Sequence, residues 1–357
     1  LFTVPSLTID LRTMPVPTPF PTPTQGSITE IGATGGYNRD VTYSGLLNVT
    51  VGGSTGAGRD HIQAGDGNDT VRGNDGDDWI HGGTGADVTV GGNGDDILIN
   101  SGGADTMIGG PGDDSFNGGP DGDVMNGGTG HDYMFSGALG AVTLGGSGNE
   151  RQLGAGGVDA FAGDDGDDWL EGGAGGDGLT GDTIAPFGVD LNTPGEDVLI
   201  GGPGLDANDG GGRMDVFVGQ SNVVGNTVIP QIDDYLGGLG FDWTTYFGSR
   251  TPNADTANFA GALPANDPGL LLDSFIDVEA LSGGNFDDTL KGDGRTTLDG
   301  NAPGISDGLP ATDVPSIVGL DTLLGAAAAT GWNTGNILIG GTGSDQQLVG
   351  VVLDPVL

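Results

Sequence analysis

From Thr55 to Thr180 a large apolar side chain returns at one phase of a nine-residue period. The series is Ile62, Val71, Ile80, Leu98, Met107, Phe116, Met125, Met134, Phe161, Leu170 and Leu179. These fill eleven of fourteen eighth positions in a repeat without insertion or deletion. The sixth position is Asp in twelve of the fourteen units, and the fourth is Gly in twelve. The unit reads G-G-x-G-x-D-x-U-x, with U a large apolar residue, the pattern of a parallel β-helix whose turns bind Ca²⁺. Positions one to six read as a glycine turn and seven to nine as a short strand. Strand alternation sends position eight inward and positions seven and nine outward. Two nonads make one coil, so fourteen make seven coils. The fold class expected is all-β: a right-handed parallel β-roll or β-helix solenoid with an inserted irregular subdomain.

The pattern divides the chain. Residues 1–25, with Pro5, Pro15, Pro17, Pro19, Pro21 and Pro23, read as an extended linker or strap. Residues 26–54 read as capping strands, since an end coil lacks a neighbour on one side. Residues 55–180 are the main array. Residues 181–218 hold an interruption and three further nonads, with Asp197, Asp206 and Asp215 at position six and Arg213 where glycine belongs. Residues 219–282 carry Tyr235, Phe241, Trp243, Tyr246, Phe247, Phe259 and Phe275 and read as an inserted, non-repeating subdomain. Residues 283–357 read as degenerate repeats and a C-terminal cap, with Asp288 and Asp345 at position six and Asn336 in a weaker unit.

Composition sharpens this. The 77 glycines in 357 residues would suggest disorder, but the strict period overrules that. Fifty acids against nine bases leave a net charge of −41. Such a surface repels nucleic acid and needs cations to become compact. Without cysteine there is neither a disulfide framework nor a thiolate metal site. No apolar run reaches the roughly 18 to 20 residues that span a bilayer, so no transmembrane segment is expected. The first residues lack a signal-peptide pattern, and the chain starts with Leu, as expected of a mature product or a piece of a longer polypeptide.

The repeat carries calcium chemistry. Ca²⁺ takes six to eight oxygens, glycine turns expose backbone carbonyls, and one Asp per turn adds anionic oxygen. Nonads two apart stack, so each ion is expected between the turns of units i and i+2. That arrangement makes two rows. One holds Asp60, Asp78, Asp96, Asp114, Asp132, Glu150 and Asp168; the other holds Asp69, Asp87, Asp105, Asp123, Ala141, Asp159 and Asp177. Together with Asp197, Asp206, Asp288 and Asp345, the Asp residues of these rows are the expected metal ligands. The alternative, that each Asp merely caps its turn, is outweighed by twelve in-phase occurrences.

The array resembles the RTX (repeats-in-toxin) calcium-binding β-rolls over 55–218, then at 283–291 and 340–348. The resemblance implies repeats that stay disordered until Ca²⁺ binds, after export through a type I channel. Millimolar extracellular Ca²⁺ would fill sites left empty in the cytosol. A second resemblance lies in Gly237–Trp243 and Phe275–Gly283, with Gly166–Gly173 and Asn336–Gly341. These segments are similar to the calcium-binding region that follows the catalytic domain in bacterial animal-type haem peroxidases. The expected function is a calcium-binding scaffold region of a secreted or cell-surface bacterial protein. The alternatives are the C-terminal calcium-binding portion of a haem peroxidase, or a surface-layer, adhesin or filament component.

The coil Ser136–Leu153 departs from the pattern, with Leu139 for Gly, Ala141 and Glu150 for Asp, and Thr143 and Gln152 in the core. Ala141 cannot ligate, and Gln152 buried without a partner would cost stability. Tyr133, Phe135, Val142 and Leu144 nearby are outward and apolar, and so suggest a protein-partner surface. No catalytic constellation emerges. His61, His81 and His131 fall at positions seven, nine and five, outside the core, and read as far apart. The stretch Gly52–Gly56 matches the serine nucleophile elbow, but a glycine array follows where a helix is needed.

Overall fold

The computed structural model describes residues 58–182, 194–219 and 233–245 throughout. Elsewhere it describes short strands at 7–9, 27–30, 39–44, 49–52, 223–224, 227–228, 256–258, 274–276, 278–282, 289–291, 337–339, 346–348 and 351–353. The remainder of the Pro-rich segment, Ser54, Asp288 and Asp345 lie outside the described residues. The chain forms two compact units, Leu1–Asp165 and Gly166–Leu357. It is an all-β parallel solenoid, and among the described residues no helix is long and apolar enough to cross a membrane.

In the first unit, consecutive nonads alternate between two sheets. Thr70–Asp75, Val88–Asn93, Thr106–Pro111, Val124–Thr129, Val142–Ser147 and Ala160–Asp165 belong to the first. Asp60–Asp66, Trp79–Thr84, Ile97–Ile99, Ser115–Asn117, Tyr133–Phe135 and Arg151–Leu153 belong to the second. Among these twelve strands every partner is 18 residues away. Val124 pairs with Thr106 and Val142, and Ser115 with Ile97 and Tyr133. Two nonads therefore make one coil, as the period predicts. One detail differs: in the first sheet the strands continue through positions one to three of the next nonad, which were expected to be turn. Leu7–Ile9 pairs parallel with Val49–Gly52, and Ser27–Glu30 pairs antiparallel with Arg39–Ser44.

Position eight is the core. All eleven of its apolar residues are at most 2 % exposed. Burying each such side chain contributes roughly 1.5–3 kcal/mol. One inward residue per strand fills the narrow space between the sheets. Two polar core residues satisfy one another: the Thr143 hydroxyl bonds Gln152 Oε1, and Gln152 Nε2 donates to the Ala162 carbonyl (2.6 Å). The expected penalty for Gln152 is thus met by a partner nine residues back on the facing sheet. Thr143→Val alone should cost about 1–3 kcal/mol by stranding a buried amide oxygen. Thr143→Val with Gln152→Leu should restore most of that loss, as thermal unfolding in Ca²⁺ would show.

Glycine at position four has a steric cause. Gly112 has φ 138°, and a methyl on its Cα would overlap the Gly94 carbonyl in the coil below. Gly112→Ala is expected to cost about 2 kcal/mol or more. Gly178, with nothing within 4 Å of the added methyl, is the control, where Ala should change stability by less than about 0.5 kcal/mol. Thermal midpoints in Ca²⁺ separate the two.

The second unit keeps the 18-residue logic around insertions. Trp169 pairs with Val198, 29 residues on, which is 11 more than 18. The extra residues, 183–193, fall inside one nonad, between Asp182 and Pro194. Residues 234–245, read from sequence as non-repeating, in fact continue the coil. Asp234–Leu239 pairs with Ala207–Gly212, and Trp243–Thr245 with Val216–Val218. Tyr235 and Phe241 are core residues, with Tyr235 between Phe217 and Phe275. Ala280–Ser282, Ile337–Ile339 and Val351–Leu353 extend the same ladder. Thr256–Asn258, Thr289–Lys291 and Gln346–Leu348 form a separate parallel sheet.

The four residues expected to form one partner patch do not share a face. Tyr133 and Phe135 project from the second sheet, two strands from Ile97 and Ile99 across Ser115 and Asn117; Val142 and Leu144 project from the first, with Val142 beside Val124 and Leu144 two strands from Ile108 across Asn126. Consecutive nonads enter opposite sheets, so neighbours in sequence separate and residues 18 apart meet.

Candidate metal centres

Each sixth-position Asp sits at the corner where a turn enters a strand, and there it is buried. From Asp60 to Asp206, all fourteen described Asp ligands expected from sequence are at most 3 % exposed. In the first unit they stack in two rows. The Asp60 amide donates to Asp78 Oδ1 (2.7 Å), Asp78 to Asp96 (2.7 Å), Asp96 to Asp114 (2.7 Å) and Asp114 to Asp132 (2.8 Å). In the other row Asp69 donates to Asp87 (2.8 Å), Asp87 to Asp105 (2.7 Å) and Asp105 to Asp123 (2.9 Å). The row then breaks at Ala141, which has no carboxylate to offer the Asp123 amide, and resumes as the Ala141 amide donates to Asp159 (2.6 Å).

One carboxylate oxygen is thus used by the backbone. The other is not: Oδ2 of Asp78, Asp87, Asp96, Asp105, Asp114, Asp123, Asp132, Asp197, Asp206 and Asp215 is buried without a hydrogen-bond partner. Burying such an oxygen bare costs several kcal/mol. The space around it is specific. A methyl on Gly73 would overlap Asp78 Oδ2 and lie 2.7 Å from the Gly91 carbonyl oxygen. Gly109 relates identically to Asp114 and the Gly127 carbonyl (2.7 Å). First-position glycine therefore makes room where a carboxylate of nonad i and a carbonyl of nonad i+2 converge. Two acceptors facing one another with no hydrogen between them call for a cation.

The donor set fits Ca²⁺: hard oxygen only, one carboxylate per turn, the rest carbonyls. Among the described residues no three His, Cys, Asp or Glu side chains converge, so an all-side-chain cage is not the design. Bound Ca²⁺ would supply the charge that the Oδ2 row lacks. Without it the carboxylates keep their protons to a higher pH than usual. Burial, with nearby carboxylates adding to it, pushes Asp78 and Asp114 from an ordinary 3.8 up to about 8. Asp96 and Asp105 rise to about 7, and Asp123 and Asp132 to about 6. The backbone amides on Oδ1 oppose this only in part.

The second unit extends the set beyond the expected ligands. Asp168 donates to Asp197 (2.8 Å), Asp197 to Asp215 (2.9 Å), Asp215 to Asp242 (2.9 Å) and Asp242 to Glu279 Oε2 (2.9 Å). Asp177 donates to Asp206 (2.9 Å) and Asp206 to Asp233 (3.1 Å). Asp215, Asp233, Asp242 and Glu279 continue these rows, though none was among the ligands expected from sequence. Gly237–Asp242 carries the glycine turn and its Asp in full, so that signal was present, hidden by its aromatic residues. The sequence just before Asp233 and Glu279 lacks the glycines. Burial beside Asp215 lifts Asp197 to about 10, and Asp215, beside Asp242, rises well above the carboxylate range.

The histidines are engaged elsewhere. His61 and His81, expected to be far apart, instead flank Trp79, with ring centroids 4.4 and 5.9 Å away. His81 Nε2 also bonds Ser101 Oγ (2.6 Å). His131 stands in an exposed fifth-position ladder. Its amide donates to Asp113 (2.8 Å), and its Nδ1 accepts the Asn149 amide (2.8 Å).

Residues 54–89, 63–98, 73–107 and 99–134 match the RTX calcium-binding nonapeptide repeat. No curated protein and no solved structure matches the chain. The matched residues contain the two carboxylate rows of the first unit from Asp60 to Asp132. RTX repeats bind calcium and are typical of secreted bacterial proteins. The chain therefore carries RTX calcium-binding nonapeptide repeats, wound into a parallel β-solenoid.

Proposed function

We propose that this chain is a calcium-folded scaffold segment of a secreted or cell-surface bacterial protein, catalytically inert, which folds on meeting extracellular Ca²⁺ after export. The observation that carries the reading is the ten buried Oδ2 atoms without partners. A fold that buries so many carboxylates is costly in the cytosol, where free Ca²⁺ is scarce, and favoured outside. Ligand bound only to the folded state stabilises it in proportion to the logarithm of its concentration. Inertness is supported by the placement of the histidines, against Trp79, Ser101 and the ladder at Asn149, rather than around a shared cleft. The likeness to the peroxidase-associated region accords with a scaffold that accompanies a separate catalytic domain.

Far-UV circular dichroism at pH 7.5 tests this reading. The chain should be coil in EGTA and β in millimolar Ca²⁺, with Mg²⁺ a poor substitute because it dehydrates reluctantly. Identical spectra in EGTA and Ca²⁺ would refute it.

A further inference from the structure

The two carboxylate rows of the first unit are not equivalent. In the row from Asp60 to Glu150, every first position from the second nonad of the row onward is glycine: Gly73, Gly91, Gly109, Gly127 and Gly145. In the other row the first positions are mixed: Ala64, Gly82, Asn100, Gly118, Ser136 and Gly154. We infer that in the row from Asp69 to Asp159 the side chains of Asn100 and Ser136 occupy two cation positions, so that this edge takes fewer calcium ions than the other. The inference rests on the calcium reading of the repeat.

Asn100 carries the first half. It is 3 % exposed, and its Oδ1 accepts the Gly82 amide (3.1 Å). A methyl on Gly82 would overlap Asn100 Oδ1 and lie 2.8 Å from Asp87 Oδ2. At Gly73 and Gly109 the equivalent space faces a carboxylate and a backbone carbonyl. Here an entire carboxamide has entered it. Asn100 Nδ2 and Asp87 Oδ2 are both buried without a partner. One is a donor with two hydrogens and the other an ionisable acceptor, in a single cradle. A charge-assisted hydrogen bond from the Asn100 amide to the Asp87 carboxylate would supply here what an ion would supply in the opposite row.

Ser136 carries the second half. Its nonad has Ala141 in place of the carboxylate, so this position contributes no negative charge. The Ser136 hydroxyl is fully buried and within reach of Asp159 Oδ1 (3.3 Å) and the Leu153 carbonyl (3.4 Å). Asp159 Oδ1 also accepts the Ala141 amide. A neutral hydroxyl and an amide thus hold the turn together where a neighbouring coil would use Ca²⁺. Both replacements fall on one edge, and the five glycines opposite are intact.

The test is a count of bound calcium per folded chain by equilibrium dialysis with ⁴⁵Ca²⁺ at saturation. Asn100→Gly should bind one more ion than the wild type, as should the double variant Ser136→Gly, Ala141→Asp. Asn100→Ala, which removes the carboxamide and leaves the residue that stands at the first position Ala64 of the same row, should also gain one ion, and provides a reading should Asn100→Gly fold poorly. Asp114→Asn, in the intact row, should lose one. Unchanged counts in the gain variants, with β structure kept in Ca²⁺, would overturn the inference while leaving calcium binding intact. A wild type that binds no calcium would instead overturn the underlying reading.

Discussion

Acidifying the calcium-free chain from pH 8 to about pH 4 should restore the β structure that EGTA removes. The unfolded chain releases its carboxyl protons near the ordinary 3.8, whereas the folded chain holds them to about 8 at Asp78 and Asp114 and to about 7 at Asp96 and Asp105. Between those limits the folded state binds more protons than the unfolded one, so stability falls as pH rises. The contribution of these groups is fully present below about 4, falls steadily above it, and is gone once the pH passes about 8. The cause is burial of carboxylates beside one another, the same cause that calls for Ca²⁺. Protons and calcium therefore compete for one row of oxygens. In saturating Ca²⁺ the carboxylates stay ionised to lower pH, and calcium binding at pH 7 should release protons. Circular dichroism from pH 8 to 4 with and without EGTA reads this: the two curves should diverge at neutral pH and converge in acid. A chelated chain that remains coil at pH 4 would contradict the assignment of the shifts to buried carboxylates in a native-like coil.

Asp114→Asn should act in opposite directions with and without calcium. The amide keeps an oxygen to accept the Asp96 backbone N–H (2.7 Å in the native chain), so the local turn survives. It removes the negative charge that would hold an ion between this turn and the Gly127 carbonyl. At calcium 100 times a site's dissociation constant, one occupied site contributes about 2.7 kcal/mol. The variant should lose about that much in Ca²⁺ and need more calcium to fold. In EGTA at neutral pH it should be no less folded than the native chain, because a buried amide costs less than a bare buried carboxylate. Asp114→Ala removes the acceptor as well, and should be worse than Asn under both conditions by about 1–3 kcal/mol. Urea unfolding of the three chains in Ca²⁺, with calcium-titration midpoints, separates charge from hydrogen bonding.

Much of this architecture was legible because one period carries two signals. Position eight points inward at every apolar unit, and position six builds two rows in the first unit, as the phase of Ile62 and Asp60 implies. What escaped was contact at a separation of 18 plus or minus a few. His61 and His81 are 20 apart in sequence and flank Trp79 because one coil intervenes. Tyr133 and Val142 are nine apart and lie on different sheets for the same reason. The role of first-position glycine was also hidden. Conformational freedom alone does not explain Gly73; the space claimed by Asp78 Oδ2 does. In the second unit the ladder outlasts the motif. Asp233 and Glu279 accept the amides of Asp206 and Asp242 even though the sequence before them lacks the glycine signature.

The most direct test is an anomalous difference map from crystals of the chain grown in Ca²⁺. The account predicts peaks between stacked turns, spaced one coil apart, beside Oδ2 of Asp78, Asp96, Asp114 and Asp132 and facing the first-position carbonyl of the next coil. Ordered Oδ2 atoms with no peak beside them, or ions bound only at the exposed fifth-position carboxylates such as Asp95 and Asp113, would contradict it.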